Sequence, residues 1–274
     1  MHAYVKRNLK TIQSIHNLTV YPNNVPIITS GVSAVPPGLF SQNVTGRVTP
    51  VGNFSGFGDN IEYFFALAPM PQTNAAGVAF YEAEIVEYVS GCANVASSVV
   101  YFHTGPVNNV TGGLLSPNAP TASLKQVAFW RFDDAGLVTH YDAWIPTLQL
   151  WVSATSGINY ADPLVQEGLV AQQLCPQIQQ RCTGANEQYP DVETCVADLS
   201  QKPFGSFDEA WGDNNVCRLI HLILTVVRPD VHCPHVGPLG GNGPDNFKCV
   251  NISFNDPSYY TNDDILFSGE DFRC

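Results

Sequence analysis

Four side chains near the middle of the chain, Val138, His140, Asp142 and Trp144, alternate along a segment with strand character. Alternate residues of a β-strand share one face, so these four are predicted to point the same way. If that face borders a pocket, a desolvated carboxylate or imidazole can move protons, and Asp142 is the predicted base with His140 beside it. The alternative is that Asp142 pairs with an arginine such as Arg131, or faces solvent, because a shift of one residue turns the whole set outward.

Aromatic side chains on the neighbouring segments could line the same pocket. Tyr63 on a short helix is a predicted hydroxyl donor, and the predicted substrate-binding residues are Tyr81, Tyr101, His103, Trp130 and Trp144. Large rings bury apolar area, while phenol and imidazole groups orient oxygens, so the predicted guest is a small apolar, oxygenated molecule of aromatic or terpenoid type. The alternative interpretation is that these rings simply fill a core.

A second group of candidate ligands lies in the carboxyl-terminal part, where His232 and His235 flank Cys233 and His221 precedes them. Imidazole and thiolate donors suit zinc or copper. A bridged Cys233 would lose its thiolate, however, and the preferred interpretation is that these histidines hydrogen-bond the backbone of a loop held by disulfides. Neither a metal nor a cofactor is therefore predicted. The glycine-rich run 237–244 follows no predicted strand and contains prolines, which excludes a phosphate loop.

Cysteines and glycosylation sequons indicate an oxidising compartment. Seven of the eight cysteines fall in the last hundred residues without a C-x-x-C pair, a pattern that favours disulfides whose pairing stays open. N-glycans are possible at five sequons, Asn17, Asn43, Asn53, Asn109 and Asn251. No apolar run approaches the roughly 20 residues that span a bilayer. We expect a mature, secreted, extracellular glycoprotein whose signal peptide has been removed.

Composition limits the partners. The 274 residues are 45% hydrophobic and 13% charged, enough to bury one large core and a smaller one. The net charge of −12 repels phosphate backbones, so nucleic acid is not an expected partner.

The elements that must position these residues follow from periodicity. Apolar residues at three- and four-residue steps predict a helix over 3–18, and Asp59 begins a short helix. Alternation predicts strands over 44–54, 80–89, 95–103, 124–132 and 137–145, with a turn at 133–136. Helices followed by an antiparallel meander indicate an α+β fold.

The helix-then-sheet order and the hairpin Phe129–Trp144, of sequence F-W-R-F-D-D-A-G-L-V-T-H-Y-D-A-W, resemble the cone-shaped fold of the nuclear transport factor two-like superfamily, which includes SnoaL-like polyketide cyclases. Gly46–Pro50 and the helix Ile61–Leu67 carry the same resemblance. It covers residues 1–155, leaving 156–274 as a cysteine-rich, mainly helical and irregular extension. The whole chain is similar to secreted fungal proteins that append such a tail to the cone.

The resemblance implies a cofactor-free cyclase, isomerase or dehydratase. In such a site Asp142 or His140 would take a proton, and Tyr63, Tyr81 or Tyr101 would stabilise the oxyanion. The alternative is a non-catalytic secreted carrier or surface interaction glycoprotein.

The tail is expected to begin after a linker at 153–157. The pair Asp162-Pro163 predicts a helix start, and a further helix is predicted from about residue 215 to residue 227, with Pro229 as its stop.

Overall fold

The computed structural model describes residues 2–74, 76–243 and 246–251. The described chain divides into two compact units. The first contains the residues up to Thr49 and those from Asn53 to Pro146; the second contains Pro50–Gly52 and the residues from Thr147 onward. Among the described residues, no helix has the length and apolar character needed to cross a membrane.

A six-stranded mixed sheet forms the centre of the first unit, in the order β2-β1-β6-β5-β4-β3. The strands are β1 Phe40–Thr49, β2 Gly52–Ser55, β3 Val78–Cys92, β4 Val95–Pro106, β5 Ala122–Phe132 and β6 Val138–Trp144. Strands β3 to β6 pair antiparallel in chain order, while β1 pairs parallel to β6. The predicted meander and its hairpin are confirmed.

The register defines an inner and an outer face of this sheet. Residues directly opposite one another on neighbouring strands share a face. Trp130 pairs with Tyr141 and with Ala96, and all three are buried, which identifies the inner face. Phe129 pairs with Asp142 on the outer face, where the Phe129 side chain is 54% exposed.

The described residues of the first unit also form three α-helices, α1 Ala3–Asn17, α2 Val25–Ser30 and α3 Gly56–Ile61, and a short 3-10 helix, Gly31–Ala34. Helix α1 packs on β3, and α3 packs on β1 and continues as a wider π-type turn over Glu62–Ala66. The predicted amino-terminal helix is confirmed, and its Ile12 and Ile15 are fully buried. The Arg7 guanidinium fixes this helix to two loops by donating to the carbonyl oxygens of Ala93 and Asp134.

The second unit is helical and cross-linked. Its helices are α4 Leu148–Ser156, α5 Pro163–Leu169, α6 Cys175–Arg181, α7 Val192–Leu199, α8 Asn215–Leu224 and α9 Pro229–Val236. A wider turn over Val170–Leu174 joins α5 to α6, and Asp162 caps α5 by accepting from the Leu164 amide. Leucine, isoleucine and cysteine side chains from α6, α7, α8 and α9 form the core.

Three disulfides hold this unit together: Cys175–Cys195, Cys182–Cys233 and Cys217–Cys249. No cysteine is free among the described residues, and Cys274 lies outside them. The expected class, an α+β fold with a curved sheet on helices followed by a disulfide-rich helical extension, is confirmed.

Several boundaries differ from the expectation. Residues 153–156 of the expected linker belong to helix α4, residues 50 and 51 interrupt the strand expected over 44–54, and the short helix begins at Gly56 rather than at Asp59. Helix α8 ends at Leu224, and Pro229, predicted as a stop, is the first residue of α9. Proline is well suited to that position because the first amide of a helix has no intrahelical partner.

Candidate functional site

A fully buried histidine on α1 is an unusual polar group of the first unit. The His16 side chain lies four residues after Ile12, on the buried stripe of the helix, and is 1% exposed. Neither of its ring nitrogens has a hydrogen-bond partner among the described residues. A buried polar group without a partner costs free energy of about 1–3 kcal/mol, so such a group calls for a functional explanation.

Aromatic rings surround this imidazole. The His16 ring centroid lies 5.3 Å from Phe102, 5.7 Å from Trp130 and 5.9 Å from Phe64. Tyr141 continues the group at 5.7 Å from Trp130 and 5.4 Å from Phe64. The Trp130 indole donates to the Ser98 hydroxyl at 2.9 Å, which fixes its orientation. The interior next to His16 is therefore apolar and rigidly lined.

Two further polar atoms in this interior lack partners among the described residues: the Tyr141 hydroxyl and the Asn60 Oδ1. The amide nitrogen of Asn60 is used, donating to the carbonyl oxygens of Val44 at 3.0 Å and Gly56 at 2.7 Å. Both groups crowd Gly46 on β1, where an added Cβ would lie 2.2 Å from Tyr141 Cζ and 2.6 Å from Asn60 Oδ1. Glycine at position 46 is thus a steric requirement for the phenol and the amide.

Burial sets the protonation states of these groups. Loss of hydration lowers the pKa of His16 to about 3, so its imidazole is neutral near pH 7. The same loss of hydration raises the pKa of Tyr141, which keeps the phenol protonated. The interior therefore offers an imidazole with a free lone pair and a free phenol hydroxyl, without a net charge on either.

A surface pocket of about 430 Å³ has His16 among its lining residues. It lies between α1 and β3, is open on one side, and is lined by Lys10, Gln13, Ser14, His16, Asn17, Ala83 and Ile85. Polar side chains of α1 thus form one wall and small or aliphatic side chains of β3 the other.

Asp142, the predicted base, lies on the outer face. Its carboxylate forms a bidentate ion pair with the Arg47 guanidinium, directly across the β1–β6 pairing. Its strand neighbours Tyr141 and Ala143 take the inner positions, so the face is shifted by one residue from the expected one. A role of Asp142 as base stays a prediction.

His140 and Trp144 share the outer face with Asp142. His140 Nδ1 is 2.7 Å from the Thr45 hydroxyl, and burial is the main cause that lowers its pKa to about 4. Trp144 is 56% exposed.

The predicted ring residues are separated between faces. Tyr101 and His103 pair with outer-face residues of β5, and His103 lies 3.0 Å from the Glu84 carboxylate and stacks on Tyr81. Tyr63 stacks on Phe54 at 4.1 Å. Trp130 is the predicted binding residue that does line the interior.

Sequence reasoning missed His16, Asn60, Phe64, Phe102 and Tyr141. Two signals were available. His16 follows Ile12 by four residues and therefore shares its face of the helix. Charged residues such as Arg47 and Asp142 favour the solvent side of a sheet, which places the alternate residue Tyr141 on the inner side.

The second unit contains a cluster of three buried imidazoles, His221 on α8 and His232 and His235 on α9. Candidate ligand atoms from the three side chains all lie within 4.8 Å of one another. Burial, together with His235 and His232, holds the pKa of His221 well below its usual value, so this imidazole is neutral near pH 7. Neutral imidazoles are the form that binds metal ions.

Comparison with known proteins gives related chains in two Aspergillus species. The bifonsecin B biosynthesis cluster protein A of Aspergillus brasiliensis is 30% identical, over 81% of this chain and 74% of its own length. The aurasperone B biosynthesis cluster protein A of Aspergillus niger is also 30% identical, over 81% of this chain and 72% of its own.

Among solved structures, a protein described as a SnoaL-like polyketide cyclase from Jannaschia sp. CCS1 aligns with 58% of this chain and 98% of its own, at 10% identity and a TM-score of 0.38. Residues 139–251 match the BfoA family C-terminal domain. The chain belongs to the family of these Aspergillus biosynthesis cluster A proteins.

Proposed function

We propose that the first unit binds a small, mainly apolar, oxygenated molecule in the pocket between α1 and β3, with His16 as the acceptor for a ligand hydroxyl. The observation that carries the proposal is the His16 imidazole, buried at the pocket wall with both ring nitrogens unpartnered among the described residues. A ligand hydroxyl would supply the missing hydrogen bond, and the surrounding rings would contact the apolar part of the ligand.

The low basicity of His16 favours ligand binding over proton transfer. A general base works best when its pKa lies near the working pH, whereas burial lowers the pKa of His16 to about 3. A neutral imidazole of this kind accepts a hydrogen bond well and a proton poorly. Among the residues that the structure describes, the side chains that line the pocket include no carboxylate.

A cofactor-free acid/base activity of the cyclase, isomerase or dehydratase type is the second candidate. The observation that favours it is that an acceptor, His16, and a hydroxyl donor, Tyr141, both contact the Trp130 ring. An acceptor for a carbon-bound proton and a donor to the developing oxyanion are the two parts that such chemistry needs.

The relatives are named for the biosynthesis clusters of bifonsecin B and aurasperone B. We extend a biosynthetic role to this chain as part of the proposal, with the ligand an intermediate or product of such a pathway. Secretion and N-glycans belong to the same proposal; the three disulfides fit an oxidising compartment. Removal of N-glycans by a glycosidase, followed by intact-mass measurement of the protein secreted by a fungal host, tests it.

Binding is tested with two probes that differ by one hydroxyl, 2-naphthol and naphthalene. We expect 2-naphthol to bind about two- to thirteenfold more tightly, because one hydrogen bond contributes about 0.5–1.5 kcal/mol. His16→Leu should remove that difference while naphthalene still binds. The control His103→Gln, on the outer face, should keep it. A ratio unchanged by His16→Leu, or no binding of either probe, would overturn the proposal.

The second candidate is tested with 2-tetralone, whose acidic C–H exchanges in D₂O. If the pocket transfers protons, exchange followed by NMR should be faster with the protein than in buffer, slowed by His16→Leu and unaffected by Asp142→Asn. Exchange at the buffer rate would exclude proton transfer, and binding would be the one proposal that remains. Loss of exchange in Asp142→Asn, with His16→Leu unaffected, would restore the outer-face carboxylate as the base.

A further inference from the structure

We propose that His221, His232 and His235 of the second unit form a Zn²⁺ site, with the three Nδ1 atoms as ligands. This site is independent of the pocket in the first unit. The ring nitrogens of the three histidines converge there, and two disulfides hold the backbone that carries them.

The spacing of the nitrogens fits a shared metal ion. His235 Nδ1 lies 3.0 Å from His221 Nδ1 and 3.3 Å from His232 Nδ1. Zn–N bonds of about 2.0–2.1 Å in tetrahedral geometry separate neighbouring ligand nitrogens by about 3.3–3.4 Å. Small outward movements of the rings would therefore accommodate the ion.

The outer hydrogen bond of His235 sets its tautomer. Asn246 donates through Nδ2 to Asn242 Oδ1 at 2.7 Å, so its own Oδ1 is the acceptor for His235 Nε2 at 2.8 Å. With the proton on Nε2, the Nδ1 lone pair of His235 points toward the other two imidazoles. Zinc-bound histidines commonly hold their second nitrogen in this way, donating it to an oxygen that orients the ring.

A hydrogen bond between imidazoles accounts for only one of the two close approaches to His235 Nδ1. A single sp² lone pair on His235 Nδ1 accepts one N–H well, yet two imidazole nitrogens approach it. One cation would instead accept the lone pairs of all three nitrogens at once, with His221 and His232 protonated on Nε2.

Two disulfides fix the backbone that carries the ligands. Cys233, between His232 and His235, is bonded to Cys182, which attaches α9 to the end of α6. Cys217, one turn before His221, is bonded to Cys249. The sulfurs of Cys217 and Cys249 lie near His221 but are joined to each other, so they cannot serve as thiolates. The donor set is thus three imidazoles, held in place before any ion arrives.

The test uses the full chain, secreted with its disulfides formed in medium supplemented with zinc. After gel filtration in EDTA, elemental analysis is expected to give about one zinc per chain. His221→Asn, which keeps a polar atom near the Nδ1 position, should lose the ion. His16→Leu, which removes the buried histidine of the other unit, should retain it.

A second readout protects the test against a variant that does not fold. Reconstituted with Co²⁺, the wild-type protein should show the strong visible absorption of a four-coordinate ion, and the zinc form should show X-ray absorption from about three imidazole nitrogens near 2.0 Å. Wild-type protein that retains no zinc, zinc kept equally by folded His221→Asn, or a spectrum of hydrated Co²⁺ would each overturn the proposal. Naphthol binding in the first unit does not depend on these outcomes.

Discussion

The two units achieve stability in different ways. The first is built on a six-stranded sheet whose inner face packs Trp130, Tyr141 and Phe102 against α1. The second consists of short helices joined by three disulfides. Helices of seven to ten residues are marginal by themselves, so cross-links replace part of the apolar packing that a longer helix would provide.

The difference extends to how each unit holds buried histidine. In the first unit one imidazole lies among aromatic rings, and none of its nitrogens has a described partner. In the second, three imidazoles lie together on cross-linked helices and approach one another. In the two proposals, the single unpartnered group is the place for a ligand hydroxyl and the converging group is the place for a cation.

Reduction of the disulfides should produce the largest difference in stability between the two units. Each native bridge commonly contributes about 2–5 kcal/mol, and the 51-residue separation of Cys182 and Cys233 predicts about 1 kcal/mol more than the 20-residue separation of Cys175 and Cys195. Hydrogen exchange followed by mass spectrometry should show α6 to α9 losing protection in reductant while β4 and β5 keep theirs. The comparison fails if both units lose protection together, or if removing the shorter bridge is the more damaging change.

Acid should destabilise the first unit through His16. The folded pKa of about 3 lies below the ordinary 6.5, so the unfolded chain takes up a proton that the folded chain refuses as the pH falls from about 6.5 toward 3. This contribution lowers the free energy of unfolding by about 3 kcal/mol between pH 7 and pH 4, to order of magnitude.

Urea unfolding of wild type and His16→Leu at pH 7, 5.5 and 4 measures this contribution. The stability difference between the two proteins should shift in favour of the variant as the pH falls, whereas His103→Gln should follow wild type. Parallel pH profiles for wild type and His16→Leu would mean that His16 is hydrated or partnered in solution.

Tyr141→Phe should produce the smallest change in stability. Removing a buried hydroxyl that has no described partner costs no hydrogen bond, so the variant is expected to be as stable as wild type or up to about 1 kcal/mol more stable. Thermal unfolding, with Tyr21→Phe as the matched control, checks this. Tyr21 donates to the Asn109 carbonyl oxygen at 2.6 Å, so its loss should be destabilising. A clear loss of stability in Tyr141→Phe would reveal a partner for the phenol.

Elements were easier to predict than faces. The periodicity of α1 and the alternation in β3 to β6 placed these elements to within a few residues, because both patterns are local. The inward face of β6 was not predictable from alternation alone, since His140 and Asp142 alternate as regularly as Thr139 and Tyr141. The pairing of Asp142 with Arg47 joins residues 95 positions apart and is a tertiary contact.

The candidate sites show the same limit. Trp130 was identified because large rings on a sheet are conspicuous, while His16 resembles any polar residue near a helix end until α1 is packed on β3. The histidine spacing in the second unit was visible in the sequence. The convergence of the three nitrogens depends on how α8 and α9 pack, which no spacing specifies.

The close packing around Gly46 predicts a pattern of sequence variation that any set of related sequences can test. Since a methyl group there would overlap the Tyr141 ring and the Asn60 amide, the three positions cannot change independently. Relatives that retain tyrosine at the position of Tyr141 should retain glycine at the position of Gly46. Relatives with a larger residue in place of the glycine should carry a residue smaller than tyrosine opposite it. Such covariation would mark which members of the family share this interior.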